Sequence, residues 1–131
     1  MRSVFFTLGS LCACLGVAFG AFGVHALKAT LSPTALAVYQ TGVTYQMWHS
    51  LGLLVVALVQ QQMPHAKPVI WAGWLMFLGI LLFSGSLYLL TMLNQPQLGM
   101  ITPIGGLCFL LSWLLLCYSV NNKNNTHHRY D

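Results

Sequence analysis

Nine of the polar side chains in or beside the long apolar runs fall near one level, and any chemistry of this chain would rest on them: His25, Thr41, Tyr45, Gln46, His49, Ser84, Ser86, Tyr88 and Thr102. Two are histidines, able to hold or release a proton near neutrality and, when neutral, to ligate a metal. Spacings of three and four residues bring Gly42, Gln46 and His49, or Thr41, Tyr45 and His49, onto one side of a helix. Such a set can form hydrogen bonds, hold a proton and stack rings. It cannot do carboxylate chemistry, because the chain has no glutamate and its single aspartate is Asp131. Glycoside hydrolysis by paired carboxylates is excluded, as is a Ser-His-Asp triad on an internal aspartate.

Two readings of this set stay open on the residues alone. In hydrocarbon, Ser, Thr, Gln and His serve as hydrogen-bond partners between helices, each contributing on the order of 1 kcal/mol. Alternatively they line a small polar cavity opening outward, with His25 and His49 as its titratable members. A haem held by both histidines requires both rings at one depth. His25 falls at a helix end and His49 deeper in the next helix, which argues against it. His49 with Tyr45 as an acid–base pair lacks any accompanying nucleophile. Cys12, Cys14, Cys108 and Cys117 fall inside apolar runs without the C-x-x-C spacing of structural zinc, and read as small hydrophobes. His127-His128 is a weak metal-affinity pair at most. No catalytic residue, metal site or cofactor is expected.

The elements that must position these residues follow from where charge is missing. The formally charged residues are Arg2, Lys28, Lys67, Lys123, Arg129 and Asp131, 5% of the chain, against about a quarter in ordinary soluble domains. A soluble fold of 131 residues has nothing here from which to build a wetted face. The net charge of +4 is no nucleic-acid signal, because the basic residues are dispersed at the ends of apolar runs. A membrane-spanning helix needs roughly 20 apolar residues. Four segments qualify: about 4–27, 41–59, 69–93 and 103–120, followed by a polar tail over 121–131 that is expected to be cytoplasmic and without fixed structure. The fold class predicted is all-α, a polytopic four-helix transmembrane bundle forming one domain over 1–120.

Ser32-Pro33 and Thr102-Pro103 each offer a capping hydroxyl followed by a proline suited to the first helical position. The second helix is therefore expected to begin at Pro33, with Pro33 to Tyr39 lying along the interface or the whole helix tilted. The first run is expected to be a retained span, too long for a signal-peptide core. Gly9, Ala13, Gly16, Gly20 and Gly23 recur on one helical face, where a neighbouring backbone can approach closely. Gly79, Gly85, Gly105 and Gly106 are expected to pack similarly. The first and second helices, and the third and fourth, are expected to pair as antiparallel hairpins. Arg2, Lys67, Lys123 and Arg129 share one side of a four-span topology and Lys28 stands alone on the other, so both termini are expected in the cytoplasm. Trp71, Trp74 and Tyr118 then suit interfacial anchors, and the polar set falls mostly in the outer half of the membrane. A small multidrug exporter, also four spans, is excluded because its proton exchange needs an intramembrane carboxylate.

The stretches Gly20-Ala-Phe-Gly-Val-His25-Ala-Leu-Lys28, Thr41-Gly-Val-Thr-Tyr45-Gln-Met-Trp-His49, Leu82-Phe-Ser-Gly-Ser-Leu-Tyr88 and Thr102-Pro-Ile-Gly-Gly106 closely resemble the YgdD-like family of small bacterial inner-membrane proteins. Val24 stands where that family usually has alanine. The resemblance covers nearly the whole chain apart from the tail. It implies a four-span integral protein of the bacterial inner membrane, and it implies no activity. The expectation is a non-enzymatic membrane protein acting through lipid or protein contacts, possible homo-oligomerisation included and nucleic acid excluded. The alternatives are a binder or carrier of a small or amphipathic molecule through the outer polar cluster and, less favoured, a haem or metal redox protein.

Overall fold

The computed structural model describes residues 3–127. The chain forms α1 (Val4–His25), α2 (Pro33–Gln62), α3 (Lys67–Gly79), α4 (Gly85–Leu93) and α5 (Thr102–His127). Short 3-10 turns at Leu27–Ala29 and Pro96–Met100 join neighbours, and a π-helical turn, Ile80–Ser84, joins α3 to α4 without breaking the rod. With α3 and α4 counted as one span, four helices are long and apolar enough to cross a membrane.

α2 begins as its sequence dictates. The Ser32 hydroxyl accepts the Ala35 amide at 3.1 Å, and Pro33 follows at the first helical position. The helix then runs unbroken for 30 residues, so no separate interfacial segment precedes the span. At α5 the expected cap is replaced. Thr102 is the first helical residue, and its hydroxyl lies 2.6 Å from that of Ser86 instead. α4 ends at Asn94, whose left-handed φ of 51° closes the helix as an asparagine readily does. The polar tail also departs from expectation: α5 continues through 121–127, with 128–131 outside the described residues.

α1 packs along α2, and α5 packs along α3 and the π turn, giving the two expected hairpins, with α4 leaning on α2 instead. α2 sits centrally, touching α1, α3 and α4. The small-residue face of α1 is spent inside the chain. A Cβ on Gly9 would lie 2.9 Å from the Ser50 carbonyl oxygen, one on Gly16 would meet Met47, and one on Gly23 would meet the Tyr39 ring. Ala13 on that stripe is half-buried. Gly105 packs against the backbone of Phe83, whereas Gly85 has open space around it and is not a packing position. Three glycines outside the expected set make equally close approaches: Gly42 to Tyr88, Gly52 to Met76 and Gly73 to Phe5.

The bundle divides along its length. An apolar core of Phe5, Leu53, Val56, Val69, Met76 and Leu116 with their neighbours fills the half holding the start of α1 and the end of α2. Most of the buried polar side chains occupy the other half. Ser112, which donates to the Ala72 carbonyl at 2.6 Å, is an exception that ties α5 to α3.

Candidate functional site

Gln46 stands at the centre of the polar half. Its Nε2 donates to the Cys12 carbonyl on α1 at 2.8 Å, and its Oε1 accepts the Tyr88 hydroxyl on α4 at 2.6 Å. One amide thus ties three helices. Tyr39 donates to the Phe19 carbonyl at 2.7 Å, and the Tyr39 and Phe19 rings lie 5.1 and 5.2 Å from that of Tyr88. Ser84 donates to the Gly42 carbonyl at 2.6 Å, a bond possible because Gly42 has no side chain to keep α4 away. Ser86 donates to the Phe83 carbonyl or pairs with Thr102, joining α4 to α5. In hydrocarbon an unpaired group of this kind costs several kcal/mol, so each of these bonds has a clear structural use.

The remaining predicted residues do not join this network. Thr41 is exposed and its hydroxyl turns back to the Ala37 carbonyl at 3.0 Å. His25 is exposed at the end of α1. α1 and α2 run antiparallel, with Gly23 beside Tyr39 and Gly9 beside Ser50 and Leu53. The level of His49 on α2 is therefore roughly 20 Å from His25 along the bundle, at about 1.5 Å per residue. The two histidines cannot share a haem.

Tyr45 and His49 lie further round α2 than Gln46, on the flank toward α5. There they border a groove of about 420 Å³ lined also by Phe83, Pro103, Gly106, Phe109 and Trp113. A second hollow bordered by Thr44, Trp48 and Trp113 continues it past the same two residues. Phe109 stacks on the His49 ring at 3.5 Å and 9°, and Tyr45 lies 4.4 Å from Phe83. The π turn supports this wall. It carries Phe83 at its crest, and Gly105 lets the α5 backbone close against it.

His49 is only 7% exposed. Its Nδ1 meets the Tyr45 carbonyl at 2.7 Å, and since a carbonyl only accepts, Nδ1 carries the proton. Nε2 is then a bare acceptor with no hydrogen-bond partner among the described residues. No side-chain nitrogen or oxygen buried from all contact lacks a partner among those residues, so Nε2 opens onto its surroundings at the groove. The site is neutral, because the charged residues lie at the helix ends or beyond. Among the described residues no three His, Cys, Asp or Glu side chains gather as metal ligands would. Sequence reasoning named Tyr45 and His49 but missed Phe83, Phe109 and Trp113, which are apolar residues in apolar runs. The aromatic recurrence Phe109-x-x-x-Trp113 at helical spacing was the one available signal.

Comparison with known proteins places the chain in a family. A family model described as "Protein of unknown function (DUF423)" matches residues 19–106. The UPF0382 membrane protein YwdK of Bacillus subtilis is 48% identical over 113 residues, covering 86% of this chain and 92% of that protein. The UPF0382 membrane protein SH2409 of Staphylococcus haemolyticus is 46% identical over 116 residues, covering 88% and 93%. No solved structure matches. The YgdD-like label is not a name these relatives carry, while an uncharacterised membrane family agrees with the motifs.

Proposed function

The chain belongs to the DUF423, or UPF0382, family of membrane proteins, and from that premise we propose that it works by holding a molecule within the bilayer rather than by covalent chemistry. The binding surface is the groove between α2 and α5. One observation carries this reading. The buried hydroxyls and the Gln46 amide are all hydrogen-bonded, between helices or back along their own, and among the described residues His49 alone of the buried side chains keeps a ring nitrogen without a partner, beside a hollow. A group that was only structural would have been paired as the others are. The absence of any carboxylate side chain within the four spans, and of a nucleophile beside His49, supports a non-enzymatic role.

The membrane is the bacterial inner membrane, with both termini on the cytoplasmic side. The support is the basic bias of the sequence, Arg2, Lys67, Lys123 and Arg129 against Lys28. This puts the groove near the middle of the bilayer and the polar half of the bundle outward.

Native mass spectrometry after gentle extraction tests the reading. Wild-type protein should retain an adduct, whether lipid, ligand or second copy. A Gly106→Trp variant should lose it, since a Cβ at Gly106 has room and the added ring enters the groove away from the buried network. An adduct spectrum unchanged by this substitution, in a variant that melts as wild type does, would refute the proposal.

A further inference from the structure

We propose that the occupant of the α2–α5 groove is an apolar molecule headed by a flat hydroxyl-bearing ring, a phenol or quinol with an alkyl tail, whose hydroxyl donates to His49 Nε2. This rests on the binding role argued above and adds the chemical class.

Depth narrows the field first. His49 lies near the middle of α2 and Phe83 near the middle of the α3–α4 span. A phospholipid headgroup sits some 15 Å away across half the hydrocarbon, about 30 Å thick in all, and cannot reach them. Charge narrows it further, since among the described residues no charged side chain lines the groove and burying an unpaired ion there is prohibitive. The occupant is neutral.

Direction of hydrogen bonding then selects a donor. The Tyr45 carbonyl pins the proton on Nδ1, leaving Nε2 able only to accept. A hydroxyl satisfies it, while an ether or a quinone carbonyl does not. The walls select a ring. Tyr45, His49 and Phe109 lie close to parallel, with interplanar angles of 9° to 21°, an array onto which another flat ring stacks. The groove opens past Leu107 and Leu110, where an alkyl tail passes into lipid.

A second copy of this chain fits less well. Helices associate in membranes through small residues that let backbones approach. Here the rim is large, with Trp48 66% and Trp113 42% exposed. The gap suits a ring and not a helix.

The test uses the purified full chain in detergent and reads quenching of tryptophan fluorescence. The probes are 4-nonylphenol and its methyl ether, which differ only in the donor. Wild-type protein should bind the phenol about tenfold more tightly, the worth of one net hydrogen bond. His49→Phe should bind both equally. Gly106→Leu, which leaves His49 in place, should bind neither, so the result does not depend on one variant folding. A second arm sets decylubiquinol against decylubiquinone. Quinol binding as tight as the phenol assigns the source to the reduced quinone pool, and much weaker quinol binding assigns it to a monophenolic lipid.

Equal affinity for phenol and ether overturns the inference, as does a preference that survives in His49→Phe, or no binding at all. If these fail while Gly106→Trp still removes a native adduct, the groove binds something of another class and only the ring assignment falls. A self-crosslink through Trp113→Cys in the bilayer would give the groove to a second copy and also overturn it.

Discussion

The Gln46 amide accepts the Tyr88 hydroxyl at 2.6 Å while donating to the Cys12 carbonyl at 2.8 Å, so one side chain on α2 fixes both α4 and α1. Its removal should therefore be felt on two sides. Gln46→Leu leaves the Tyr88 hydroxyl unpaired in an apolar interior and should destabilise the bundle by about 1–3 kcal/mol. Tyr88→Phe should cost about 1 kcal/mol, the usual worth of such a bond in a membrane. The double variant should cost little more than Gln46→Leu alone, because the second change removes the group the first had orphaned. Unfolding in sodium dodecyl sulfate followed by circular dichroism measures all three. Strict additivity would show that the pair does not interact.

Two glycines of the expected packing set should respond in opposite directions. A Cβ on Gly105 collides with the backbone of Phe83, which cannot swing aside as a side-chain end can. Gly105→Ala should cost about 1–3 kcal/mol, as overpacking does. Gly85 has open space around it and helical backbone angles, with φ −59° and ψ −43°. Gly85→Ala should be neutral or stabilise by up to about 1 kcal/mol, the helix preference for alanine over glycine. Thermal melting of the two variants side by side decides it.

The cysteines offer a check on helix rotation. Cys14 and Cys117 are exposed on α1 and α5, whereas Cys12 and Cys108 are buried. A lipid-soluble maleimide should label the first pair in intact membranes and spare the second until the protein is denatured. Mass spectrometry of the labelled peptides reads the pattern, and rapid labelling of Cys12 would mean that α1 does not face α2 as described.

What the sequence revealed and what it hid follow from range. The start of α2 was legible because Ser32, Pro33 and Ala35 settle it among themselves. The glycine stripe of α1 was legible because its spacing is helical and α2 is its sequence neighbour. The π turn was not, since Ile80-Leu-Leu-Phe-Ser84 reads as uniform helix and its Ser84 bond goes to Gly42, 42 residues away. The nine polar residues were visible as a set, but their division was not. Tyr88 and Gln46 turn inward while Tyr45 turns to the groove, a matter of helix rotation. In a soluble protein the polar face would have revealed rotation, but in a membrane chain Phe83, Phe109 and Trp113 are apolar on every side.

Orientation in the membrane gives the last prediction. Four crossings would put both chain ends on one side, and the proposed side is cytoplasmic because four of the five lysines and arginines would accompany them. A green fluorescent protein fused after Asp131 should fluoresce, and alkaline phosphatase fused there should be inactive. The bias rests on few charges, so it should also be fragile. Lys67, the first residue of α3, is the only lysine or arginine at the junction of α2 and α3, and Lys28 is the only one between α1 and α2. Replacing Arg2 and Lys67 with Gln while adding lysines at Ala29 and Thr30 should therefore give a mixed or inverted population in both reporters. Lys28→Gln should leave the wild-type orientation intact, since it removes the only opposing charge. Active phosphatase on the wild-type fusion would invert the placement and turn the polar half of the bundle toward the cytoplasm.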